Sequence, residues 1–182
     1  MITINTPLTK EITTKLKAGD EVFITGTIYT ARDAAHKKLI ETISEGKPLP
    51  FDIKNQIIYY VGPCPEKPGN VIGPAGPTTS VRMDAYTPKL LELGLSGMIG
   101  KGQRDNTVIE SIIKNKAIYF GATGGAGALI AKTIIKQEII AYPELGTEAI
   151  RKLEVKDFPA IVIIDSFGNN FYNIGTEKYR IK

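Results

Sequence analysis

The chain has 182 residues, 42% hydrophobic and 23% charged, with 23 basic against 19 acidic side chains and a formal net charge of +4. That length suits one sizeable domain with a buried core, and no apolar run reaches the roughly 20 residues of a membrane-spanning helix. One cysteine and one histidine exclude an internal disulfide framework and any self-contained zinc or iron–sulfur site.

The opening residues, MITINTPLTK, carry no basic-then-apolar leader, so a single soluble, cytoplasmic domain over residues 1–182 is expected. Basic residues are interspersed with acidic ones, which speaks against a nucleic-acid surface and leaves a small anionic substrate or an acidic partner as equal explanations. Residues 21–30, EVFITGTIYT, read as a strand, and DAAHKKLIETISEG reads as a helix opened by Asp33 and closed by Gly46. Arg32 then stands at a strand-to-helix junction. A second strand, NQIIYYVGP, enters a proline- and glycine-rich segment that contains Cys64 and runs to Pro77.

Beyond Asp84, AYTPKLLELG reads as a short helix and LSGMIGKG as a small-residue strand or turn ending at Lys101. Helix NTVIESIIKN, strand AIYFGAT and helix GALIAKTIIKQEII follow. KDFPAIVIIDSFGNNFYNI reads as two strands around a turn at Ser166 to Asn169. Alternating strands and helices imply an α/β domain, a layered mixed sheet with flanking helices.

Several groups carry chemistry. The Gly121–Gly127 loop follows a strand and opens a helix, where backbone N–H groups can cradle a phosphate; tight packing or a subunit contact explains the same small residues. Arg32, Thr78, Arg82 and Lys101 make a more informative set, since guanidinium forks grip carboxylates in bidentate fashion and lysine adds a movable charge. Solvated surface cations are the plain alternative. His36 shares a helical face with Arg32 and reads as a structural hydrogen-bonder or a catalyst. Asp84 either orients Arg82 or caps the following helix. Cys64, between two prolines, reads as a space-filler.

TARDAAHK, GPAGPTTSVRMD, GMIGKG, GGAGAL and AYPELGTEAIRKLEVKDFPAIVIIDSFGNNFY together resemble the β-subunit, or C-terminal half, of class I iron–sulfur fumarate hydratases and the related L-tartrate dehydratases. The resemblance spans residues 5 to 175 in order. It implies a swivelling β/β/α domain that closes over a four-iron, four-sulfur cluster held by three cysteines of a separate α-subunit or N-terminal domain, and an oligomeric assembly. It implies that Arg32 and Arg82 bind a dicarboxylate, that Thr78 is the catalytic base or a proton relay, and that Lys101 is an active-site lysine. The family's catalytic histidine and aspartate belong to the other domain, so His36 and Asp33 inherit neither role. The expected reaction is reversible hydration of fumarate to L-malate, with L-tartrate dehydration as the alternative within the class. A nucleotide-binding module using the Gly121–Gly127 loop is the alternative from another class.

Overall fold

Alternating apolar residues decide how the strands are used. The computed structural model describes residues 2–180. Its seven strands form one sheet: β1 (Ile2–Asn5), β2 (Glu21–Thr30), β3 (Ile57–Tyr59), β4 (Gly97–Gly100), β5 (Ile118–Gly121), β6 (Ile134–Ala141) and β7 (Ile150–Ile164). Strands β1 to β5 pair in parallel in that order, while β7 lies antiparallel to β2, β5 and β6. Because β7 pairs with both β5 and β2, strands β2, β3, β4, β5 and β7 close into a ring, and β1 and β6 are left as its outer edges.

Parallel strands bury both faces, and the period of two separates them. Ile57 and Tyr59 pack with Ile24, Ile28, Phe120 and Phe158 in one cluster. Ile58, from the same strand, and Tyr60, the residue just after it, join the cluster lined by the helices. The helices are α1 (Lys10–Thr13), α2 (Asp33–Ser44), α3 (Thr87–Glu92), α4 (Asn106–Asn115), α5 (Gly127–Ala131) and α6 (Phe171–Tyr179). Ala35 and Leu39 of α2, and Val108 and Ile112 of α4, sit four residues apart and present one apolar stripe each to the sheet. Asp105 caps α4 by accepting the Val108 N–H at 2.8 Å, and Lys116 ends it in the left-handed region at φ 57°. Among the described residues no helix is long and apolar enough to cross a membrane.

Two elements differ from the sequence reading. The helix expected over residues 127–140 stops at Ala131, and Ile134–Ala141 is strand β6. Its isoleucines recur at spacings that suit either period, and the decision comes from β7, which sets Glu154 opposite Lys136 and Lys152 opposite Glu138. The second strand expected after the 165–169 turn is helix α6 instead. The turn itself forms, with Asp165 Oδ1 accepting from the Phe167 and Asn169 N–H groups, but pairing ends at one Ile164–Asn170 bridge. Asn170 then caps α6 by accepting the Tyr172 N–H at 3.0 Å. Strand β1 and helix α1 were not legible in the sequence, and β7 begins well before the expected strand.

Candidate functional site

The carboxyl ends of β2, β3, β4 and β5 lie side by side in the ring, and the loops that leave them form one rim. Such a rim collects polar side chains because the loops above parallel strands are free of the core's packing demands. Arg32 stands one residue beyond β2, after Ala31, and immediately before α2. Its guanidinium lies against Gly62, just past β3, where an added Cβ would stand 2.8 Å from Nη1. Glu148, from the turn at Pro143–Glu148, holds it at 3.4 Å and uses its other oxygen to accept the Ala34 N–H at 3.0 Å. Arg32 Nε remains buried with no hydrogen-bond partner among the described residues.

The proline- and glycine-rich loop returns to the same rim at Thr78. The Thr78 N–H donates to the Tyr60 carbonyl at 2.7 Å, and the Lys101 N–H donates to the Thr78 carbonyl at 3.3 Å. Ser80 N–H closes the set on the Lys101 carbonyl at 2.9 Å. Thr78 to Ser80 therefore bridges the strand ends of β3 and β4, and Gly100 permits it, since a Cβ there would collide with Ser80 Oγ. The Thr78 hydroxyl has no hydrogen-bond partner among the described residues. Lys101 is exposed, has no ion-pair partner among them, and its stem passes Gly124.

Arg82 sits on the short 3-10 turn Ser80–Met83 and pairs with Asp33 at the start of α2. Half of its side chain is in solvent, and Asp33 Oδ1 is buried without a partner. Four of the residues singled out in the sequence thus converge on one rim: Arg32, Thr78, Arg82 and Lys101.

His36 and Asp84 sit beneath that rim instead. His36 is fully buried, edge-on to Tyr60, and its Nδ1 lies 2.9 Å from the Arg32 carbonyl. A carbonyl only accepts, so the neutral ring carries its proton on Nδ1. Burial pushes the ring's pKa down from 6.5 to about 4, helped by the Arg104 charge, against the pull of the Arg32 carbonyl and Asp33. His36 is thus a neutral structural residue that holds the α2 entry. Asp84 neither orients Arg82 nor caps the next helix. Its Oδ1 accepts from Arg104 Nε at 2.7 Å and its Oδ2 accepts the Asp105 N–H at 2.7 Å. Arg104 and Glu148 escaped the sequence reading, because an Arg-Asp pair before a helix and a glutamate in a loop look like ordinary surface.

The Gly121–Gly127 loop packs against the returning loop. The Ala75 N–H donates to the Gly127 carbonyl at 3.0 Å, and a Cβ on Gly127 would lie 3.0 Å from the Gly76 nitrogen. Close backbone contact accounts for the small residue, and the five-residue α5 aligns few peptide dipoles toward any phosphate. Cys64 is exposed, with its N–H bonded to the Pro74 carbonyl, so it is not the buried space-filler expected. No group of three or more histidine, cysteine, aspartate or glutamate side chains among the described residues is placed to hold a metal ion.

A closed mixed sheet flanked by helices, with two arginines, a lysine and a free hydroxyl on one rim, defines an α/β domain suited to a small anion. The chain belongs to the Fumarase C-terminus family, whose sequence profile matches residues 1–175. It is 44% identical over 176 residues to the anaerobic class I fumarate hydratase of Escherichia coli, covering 94% of this chain and 32% of that protein. It is 42% identical over 157 residues to fumarate hydratase 2 of Leishmania major, covering 85% of this chain and 28% of the relative. A provisionally named L(+)-tartrate dehydratase subunit beta of Methanocaldococcus jannaschii is 40% identical over 171 residues, with 91% of this chain and 88% of the relative covered. The chain spans about a third of the length of the fumarate hydratases it matches.

Proposed function

We propose that this chain is the β-subunit of a two-subunit hydro-lyase that adds water reversibly to fumarate, giving L-malate. The observation that carries the reading is the rim: Arg32, Thr78, Arg82 and Lys101 stand together at the carboxyl ends of parallel strands with donors unspent. A planar dicarboxylate uses such donors well, because each guanidinium fork matches one carboxylate. Arg82 leaves Asp33 at little cost, since half-exposed pairs are worth about 0–1 kcal/mol. Arg32 keeps Glu148 as its orienting partner, and a shift of its guanidinium brings the buried, unpaired Nε–H to the ligand.

The proton that is lost or gained lies beside a carboxylate and is weakly acidic. Negative charge that builds on that carboxylate needs fixed cations, which is the task of Arg32, Arg82 and Lys101. Thr78 moves the proton as base or relay. Nothing in this chain hydrogen-bonds its hydroxyl among the described residues, so an activating group must arrive when the site is assembled. In this reading the whole chain acts as one swivelling domain that closes on a fumarase-type α-subunit, which holds the iron–sulfur cluster. Co-expression with that α-subunit and assay of malate dehydration tests the reading: Arg82→Ala lowers turnover and substrate affinity together, and an unchanged response removes Arg82 from the carboxylate site.

A second substrate is favoured by one specific observation. The relative of matching length is named for tartrate, whereas the fumarate hydratases extend well beyond the match. The same rim grips either dicarboxylate, so assays of one preparation with malate and with L-tartrate separate the two.

A further inference from the structure

Arg104 lies under the rim with no side-chain exposure. Besides Asp84, its Nη2 donates to Thr87 Oγ1 at 2.8 Å and to Tyr60 OH at 3.4 Å, and its guanidinium carbon lies 5.0 Å from the centre of the Tyr119 ring. Three of these partners, Tyr60, Asp84 and Tyr119, are one short step from a rim residue. The Tyr60 carbonyl accepts the Thr78 N–H. Asp84 closes the turn that carries Arg82. Tyr119 OH donates to the Gly102 carbonyl at 2.8 Å, next to Lys101, and lies 2.9 Å from Ser80 Oγ.

A buried ion pair gains little stability over an apolar filling of the same volume, so stability alone does not explain a guanidinium here. What an apolar filling lacks is direction: the planar fork ties three segments at fixed angles. We infer that Arg104 is a positioning residue that sets the mutual spacing of Thr78, Arg82 and Lys101, and so the grip on the dicarboxylate. This rests on the hydro-lyase reading of the rim.

The test uses Arg104→Lys, which keeps a charge for Asp84 and loses the fork, in the chain assembled with its α-subunit. Amide exchange and steady-state kinetics with malate are read together. Exchange in residues 78–82 and 101–103 is expected to accelerate by about tenfold or more while β2 and β7 keep their protection, and kcat is expected to fall by about tenfold. A merely structural arginine would lower the melting temperature and leave kcat, KM and rim exchange of the folded enzyme unchanged, which would overturn the inference. A second variant, Arg104→Met with Asp84→Leu, restores packing without direction and carries the same readouts if the first does not fold. Wild-type melting with low kcat supports positioning, and recovery of kcat overturns it. Loosened exchange with normal turnover in Arg104→Lys, beside lost turnover in Arg82→Ala, also overturns it. Normal turnover in both variants, with loosened exchange, removes the dicarboxylate reading and leaves the loop-fixing role intact.

Discussion

Arg104 meets Asp84 with its side chain wholly out of solvent, whereas Arg82 meets Asp33 with half of its side chain in water. The two pairs stand on the same stretch of chain, with Asp84 two residues after Arg82, and burial gives them opposite uses. A desolvated pair cannot be opened without stranding a charge, so it fixes geometry. An exposed pair exchanges partners at little cost, so its cation stays available to a ligand. In the proposed reading the lower layer of the rim is a frame and the upper layer grips the ligand.

The largest effect expected from this contrast is on stability below the rim. Asp84→Ala leaves Arg104 buried and uncompensated and should cost about 3–5 kcal/mol by urea denaturation, while Asp33→Ala should cost less than about 1. Equal costs would erase the distinction between the layers. The next effect belongs to His36, another buried titratable group of the frame. Its folded pKa of about 4 lies below the ordinary 6.5, so the unfolded chain binds the extra proton first. Stability from this residue is complete above about pH 6.5 and declines as pH falls toward 4, by on the order of 3 kcal/mol. His36→Gln should flatten that decline relative to the wild type, and parallel pH profiles would refute the assignment.

In the upper layer Arg82→Ala should lower kcat/KM for the dicarboxylate by about a hundredfold, or about 2.7 kcal/mol, with under about 1 kcal/mol lost from folding. A stability loss as large as that of Asp84→Ala would place Arg82 in the frame instead. The smallest effect expected is Asp105→Ala, which removes the α4 cap beside the Asp84 contact. It should cost about 1 kcal/mol, read as a shift in the urea midpoint, and leave KM unchanged.

The positions of the upper layer were legible in the sequence, with their proposed roles coming from the family resemblance, and the lower layer was not. Arg32, Thr78, Arg82 and Lys101 sit at strand ends or in a turn-rich loop, where local signals show. Arg104 owes its burial to Tyr60 and Tyr119, which lie 44 and 15 residues away and meet it only once β3 and β5 are in one ring. No local pattern records that closure. The same holds for β6, whose isoleucines suit a helix until β7 offers a partner with matching charges. Asp84 was visible as a candidate, but its partner lies 20 residues on, across β4.

The central claim is that this chain lends its rim cations to a dicarboxylate held in an assembled enzyme. Its most direct measurement is kcat/KM for malate dehydration by the chain co-assembled with a fumarase-type α-subunit, compared with Arg32→Ala and Arg82→Ala in the same complex. The account predicts turnover in the wild type and a loss of about a hundredfold in each variant with assembly intact. Wild-type turnover in both variants would contradict it.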